Sequence, residues 1–143
     1  MPTFEMDGRH IYFESHGQGR PLVLLNGIMM SCVSWQPFVE ALSANNRLIL
    51  VDFLDQGKSE KMVGQTYDHG IQVQVVRRLL EHLNLQSACV AGISYGSEPA
   101  SSNPICVYTF IVTDISECPM RYCSVFGFIP DFAIFEQYVC RHT

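Results

Sequence analysis

Apolar residues fall along this chain in two rhythms. Thr3 to Met6 and Arg9 to Ser15 alternate apolar with polar residues around an Asp7-Gly8 pair. Asp-Gly between alternating runs predicts a hairpin, because both central residues of the tight turn need positive φ. Pro21 to Leu25 and Arg47 to Phe53 are instead continuous apolar runs, the pattern of strands covered on both faces. Between them Trp35, Phe38, Val39 and Leu42 recur at helical spacing, with Ser34 as the expected N-cap and Asn45-Asn46 as the stop. A second helix is predicted over Gln65 to Asn84. Val75, Val76, Leu79, Leu80 and Leu83 line one side of it, and Arg77, Arg78, Glu81 and His82 largely the other. A last short apolar run, Ala88 to Ala91, leads into Gly92-Ile93-Ser94-Tyr95-Gly96.

Strands that alternate with helices imply an α/β fold built on a parallel sheet with right-handed crossovers. Ligands of such sheets bind at the carboxyl ends of the strands. Gly27, the loop after Asp52 and Ser94 all fall at those ends.

The pentad Gly92 to Gly96 reads G-x-S-x-G after a strand, the pattern of a nucleophile elbow. Its chemistry needs those residue types. The serine sits on a sharp strand-to-helix turn that exposes its hydroxyl, and residues two positions away must be tiny where strand and helix close together. A Gly-rich turn after a strand is the plainer alternative for the bare motif.

Residues 1–98 resemble the N-terminal half of an α/β-hydrolase. The stretches that carry the likeness are L-L-N-G-I-M-M (Leu24 to Met30), V-D-F-L-D-Q-G-K-S (Val51 to Ser59) and G-I-S-Y-G (Gly92 to Gly96). Asn26-Gly27 stands where that family commonly has His-Gly. The resemblance implies Ser94 as nucleophile and the backbone N–H groups of Ile28 and Tyr95 as oxyanion donors, with Gly27, Gly92 and Gly96 as the loop and elbow glycines. It implies a small-molecule acyl substrate and no cofactor. Hydrolysis of an ester, thioester or amide is the expected chemistry; an acyltransferase of the same fold and a non-catalytic interaction module are the alternatives. The D-x-x-D-x-G-x-S loop, Asp52 to Ser59, is expected to serve the turn itself, through carboxylate caps.

After Glu98 the texture changes. Residues 99–143 hold four of the six cysteines, four of the seven prolines, eight of the sixteen aromatics and no lysine. Family members continue from the elbow into a long helix, further strands, a late acid and a histidine near the end. Here Pro99 and Pro104 limit the helix to a stub. Ile105 to Thr113 has strand propensity. Counted from Ser97 to Pro104, however, its link to the elbow falls short of the dozen or so residues that a parallel crossover needs. It is therefore expected to pair antiparallel or to lie over apolar surface. A shift of reading frame, or an alternative exon joined after Glu98, would produce so abrupt a change. The chain is thus read as a family-like part, 1–98, and a divergent, irregular tail, 99–143.

Ser94, then Asp114 or Asp131, then His142 reproduce the family's triad order. Order without matching context is a weak signal, and unrelated residues in a replaced tail are the plainer explanation. The serine is therefore expected to lack its acid and base, and the chain to be inactive or weakly active. The earlier histidines 10, 16, 69 and 82 do not occupy the family's base position, and His16 and His69 are expected to be solvated. Cys118, Cys123, Cys140 and His142 have no C-x2-C knuckle, so no metal site is expected. Cys89 is read as a small core residue, and Met29 and Met30 as walls of an acyl pocket or simple gap-fillers.

Over 143 residues, 48% hydrophobic and 16% charged, the composition is that of one globular domain. A net charge of -5 argues against a nucleic-acid partner. No apolar run is long enough to span a membrane, and the first ten residues lack a basic start and an apolar core. A cytoplasmic protein with free thiols is the expectation. An apolar sheet edge at the elbow strand would favour self-association.

Overall fold

A computed structural model describes residues 2–64, 69–96, 99 and 106–112. Strand β1 (Thr3–Met6) pairs antiparallel with β2 (Arg9–His16), and Asp7 and Gly8 between them take φ of 51° and 76°. That is the hairpin the Asp-Gly pair predicts. β3 (Arg20–Leu25), β4 (Asn46–Val51) and β5 (Ala88–Ile93) follow, separated by helix α1 (Gln36–Ser43) and helix α2 (His69–His82). A sixth strand, β6 (Cys106–Val112), completes a sheet of order β1-β2-β4-β3-β5-β6. β3 lies at the centre and runs parallel to both β4 and β5.

The continuous apolar runs have a direct explanation. Successive side chains of a strand point to opposite faces. Val23, Leu25, Ile49, Val51 and Val90 join α2's Val75, Val76, Leu79 and Leu80 on one face. Leu22, Leu24, Leu48, Leu50 and Ala91 join Trp35 and Leu42 on the other, with Phe38, Val39 and Cys89 packed partly buried against them. Each fully buried Leu, Ile or Val of these layers contributes about 1.5–3 kcal/mol relative to exposure. In β1, by contrast, exposed Thr3 and Glu5 alternate with buried Phe4 and Met6, as the alternating sequence there predicts.

Three expectations are corrected. Helix α1 is preceded by a 3-10 turn, Cys32–Trp35, which Ser31 caps; α1 itself starts after Trp35, with no side-chain cap. Ser34 sits inside that turn and its Oγ accepts the Ser31 N–H at 3.3 Å. His16 is not simply solvated: its Nε2 lies 2.9 Å from Glu14 Oε2.

The third correction concerns the strand after the elbow. β6 pairs with β5 in parallel, from Ala88 opposite Cys106 to Ile93 opposite Val112, with one irregularity between Ala88 and Cys89. The link runs over residues 94–105, twelve positions, because the turn at Ser94–Gly96 already belongs to the crossover. Counted from the end of the strand, it reaches the length a parallel connection needs. Pro99 is helical and buried. The rest of the expected helix stub, Asp114, Asp131, His142 and the cysteines after 106 lie outside the described residues.

Candidate active site

The carboxyl ends of three neighbouring parallel strands meet at one edge of the sheet. Leu25, the last residue of β3, is opposite Val51 on one side and Gly92 on the other. The loops that begin at Asn26 and Asp52, and the turn that begins at Ser94, are therefore adjacent.

The loop after β4 is organised by carboxylates, as its spacing suggests. Asp52 is 1% exposed. Its Oδ1 accepts the Cys32 N–H at 2.7 Å and Asn26 Nδ2 at 3.3 Å, and its Oδ2 accepts the Lys58 N–H at 2.8 Å. Asp55 accepts the Met62 N–H at 2.6 Å. Ser59 Oγ donates to the Asp52 carbonyl at 2.5 Å and accepts the Tyr12 N–H at 2.8 Å, which ties the loop to β2. Asp52 is thus occupied in holding the backbone of Cys32 and Lys58 and the side chain of Asn26.

Asn26 is occupied too. Its Nδ2 donates to the Val51 carbonyl at 2.9 Å, and its Oδ1 accepts the indole N–H of Trp35 at 2.7 Å. With 0% exposure, its side chain faces the protein and fixes where the next residues emerge. Gly27 follows, held on both sides. Its N–H points at Met30 Sδ, 3.3 Å away, and its carbonyl accepts Met30 N–H at 3.3 Å and Gln56 Nε2 at 2.9 Å.

Ile28 and Met29 stand out beyond that anchor, 68% and 96% exposed, and Met29 takes a φ of 61°. Together with Met30 and Ser31 they form one wall of an open cleft of about 550 Å³, whose other wall is Leu54 to Gly57. Both methionines border the cleft, and Met30 also packs, partly buried, against the core cluster of Trp35 and Leu42.

Ser94 opens the 3-10 turn Ser94–Gly96 directly after β5. Tyr95 is half-buried, its ring edge-on to Phe53 with centroids 6.1 Å apart. Gly92 is buried within β5 opposite Leu25. The need for glycine at 96 is steric: a Cβ there would lie 2.6 Å from the Asn26 carbonyl oxygen and 2.7 Å from that of Leu25. The elbow turn and the loop after β3 are in backbone contact.

The described histidine side chains stand away from this edge. His10 and His16 are on β2, three strands from β5, which is about 14 Å at the usual strand spacing. His82 stacks on Phe4 and lies edge-on to Phe13, at centroid distances of 5.5 and 5.7 Å, on the hairpin side.

A thiol near the site is inert by environment. Burial, then the adjacent Asp52 carboxylate, push the Cys32 thiol far above the ordinary cysteine range. On β2 a second polar group forms: Lys58 Nζ donates to Tyr12 Oη at 3.1 Å, and Tyr12 O–H donates to Glu14 at 2.8 Å. Burial works to raise the Glu14 carboxyl, but hydrogen bonds from His16 and Tyr12 and the nearby positive charges outweigh it, leaving it below its ordinary value. Among the described residues no group of His, Cys, Asp and Glu could hold a metal ion. No helix among them is long and apolar enough to cross a membrane.

Sequence reading missed Gln56 and Trp35 as parts of this edge. Each acts by a side-chain bond between loops, which no periodicity signals.

Comparison with known proteins agrees with this fold. The family model of the alpha/beta hydrolase fold matches residues 20–102, more than half of the chain. A putative carbamate hydrolase, RutD, of Azorhizobium caulinodans is 30% identical over 96 residues, covering 67% of this chain and 36% of that protein. A soluble epoxide hydrolase of Corynebacterium sp. is 32% identical over 96 residues, covering 66% and 33%. Among solved structures, MGS-M2, an alpha/beta hydrolase from a Medee basin deep-sea metagenome library, superposes with a TM-score of 0.72 at 37% identity, over 77% of this chain and 43% of that one. The chain spans about a third of the length of the curated relatives it matches. With its sheet order, a G-x-S-x-G pentad after β5 and a matching family model, this chain belongs to the alpha/beta hydrolase fold family, of which it carries a part.

Proposed function

We propose that the chain carries the nucleophile side of an acyl-transfer site for a small ester, thioester or amide. Ser94 would attack the acyl carbon, and the N–H groups of Ile28 and Tyr95 would receive the oxyanion. The observation that carries this reading is the close approach of the Ser94–Gly96 turn to the loop after β3, which puts those two backbone segments side by side. The cleft beside Ile28, Met29 and Met30 supports an apolar acyl group there. Residues 1–98 form the family-like part and 99–143 a divergent tail in this reading. The end of the family match at residue 102 supports that division.

Turnover is expected to be weak. A serine hydroxyl is a poor nucleophile without a base in hydrogen-bond reach, a contribution of about 100- to 10000-fold. The side chains of His10, His16 and His82 are out of reach, as their places on the hairpin side require. Oxyanion stabilisation alone leaves about 1000-fold over water. The test is labelling by a fluorophosphonate probe together with p-nitrophenyl butyrate turnover, for the unaltered chain, Ser94→Ala and His142→Ala. Slow labelling lost only in Ser94→Ala, with turnover near background in all three, is the expected result. A robust rate abolished by both substitutions would mean that His142 completes a triad.

A second reading, a non-catalytic module, is supported by β6, which among the described residues pairs on one side only. Strand edges of this kind template association. Sedimentation over a hundredfold concentration range separates the two: a single sharp monomer argues against the module.

A further inference from the structure

The peptide between Gly27 and Ile28 is trans, there being no cis bonds among the described residues. In a trans peptide the carbonyl and the N–H point in opposite directions across one plane. Whatever fixes the Gly27 carbonyl therefore also aims the Ile28 N–H. A peptide that follows glycine is the easiest kind to rotate, since glycine restricts φ and ψ least. Here the carbonyl is gripped by Gln56 Nε2 at 2.9 Å and by Met30 N–H at 3.3 Å.

Gln56 is itself held. Its own N–H donates to the Phe53 carbonyl at 3.0 Å, and its carbonyl accepts the Ser59 N–H at 3.1 Å. The side chain is 9% exposed, and its Oε1 has no hydrogen-bond partner among the described residues. A buried amide with an unpaired oxygen is less favourable than an apolar side chain of the same size. Packing alone thus does not account for glutamine here. What an apolar residue could not do is donate to Gly27.

We propose that Gln56 is a positioning residue that sets the direction of the Ile28 N–H by holding the opposite side of its peptide. The inference rests on the reading of Ile28 as an oxyanion donor. Gln56 acts from the neighbouring loop, so the loops after β3 and β4 share the alignment of one donor.

Nuclear magnetic resonance on the unaltered, isotope-labelled chain should detect scalar coupling across the hydrogen bond from Gln56 Nε2 to the Gly27 carbonyl carbon. Its absence, with both resonances assigned, would overturn the proposal. Gln56→Glu keeps the length and removes the donor; Gln56→Met keeps the size and removes all polarity. In both, the Gly27 carbonyl-carbon and Ile28 nitrogen shifts should move more than any outside residues 53–59. Fluorophosphonate labelling of Ser94 should slow by about 10- to 100-fold in variants that remain folded by circular dichroism, the lower part of what losing an oxyanion donor costs. Labelling at the unaltered rate in folded variants would also overturn it. If Ser94 in the unaltered chain does not label at all, the acyl-transfer reading fails, and coupling and shifts alone decide the role of Gln56. If both variants unfold, the coupling in the unaltered chain decides it.

Discussion

Trp35 donates its indole N–H to Asn26 Oδ1 at 2.7 Å, and both residues are buried. The bond joins the 3-10 turn before α1 to the first residue after β3. Asn26 also holds Val51 and Asp52, so one side chain ties three segments together. Asn26→Ala should therefore destabilise the chain by about 2–4 kcal/mol, because it strands buried donors and acceptors. Trp35→Phe keeps most of the ring and loses the donor, for about 1–2 kcal/mol. Urea midpoints of the two variants and of the double variant measure this. The two losses should not add, since they break the same bond.

At the elbow, Gly96→Val should cost more stability than Ser94→Ala. The added side chain would begin 2.6 Å from the Asn26 carbonyl oxygen, and backbone cannot yield as a flexible side chain can. A difference of at least about 2 kcal/mol is expected. Equal melting temperatures would contradict the close approach.

Acid should weaken the hairpin side through Glu14. A carboxyl that ionises more readily in the folded chain adds stability above its unfolded value, near 4.5, and that stability is lost as pH falls through the lower folded value. Glu14→Gln removes this contribution. From pH 4.5 downward the melting temperature of the unaltered chain should fall more steeply than that of the variant.

Gln72 sits on α2 with 0% exposure, and neither its amide nitrogen nor its oxygen has a partner among the described residues. Gln72→Met replaces a buried amide by an apolar side chain of similar size. An increase of about 1 kcal/mol in unfolding free energy is expected, read from the urea midpoint at unchanged slope.

Most of the sheet was legible because its signals are local. The Asp7-Gly8 turn, the double-sided apolar runs and the spacing of Val75, Val76, Leu79 and Leu80 each follow from a few neighbouring residues. The cap was misplaced because Ser31 and Ser34 are both residue types that cap helices, and the 3-10 turn that begins after Ser31 takes in Ser34. The direction of β6 was misread by counting the crossover from Gly96 instead of from Ile93. At the site, the turn after β5 showed in the sequence, whereas the bonds Trp35–Asn26 and Gln56–Gly27 did not. They link residues that only folding brings together.

The central place of β3 has a consequence for how the chain acquires its structure. The hairpin can form as soon as it is made, since Thr3 and Tyr12 are close in sequence. β3, by contrast, finds its second neighbour only when Cys89 and Val90 arrive opposite Leu22 and Val23, after α1, β4 and α2 have all been synthesised. Until then one side of β3 has unpaired backbone groups, and closing so long a loop is slow. During synthesis, the middle of this sheet is the part that waits longest for a partner and is most exposed to a wrong one.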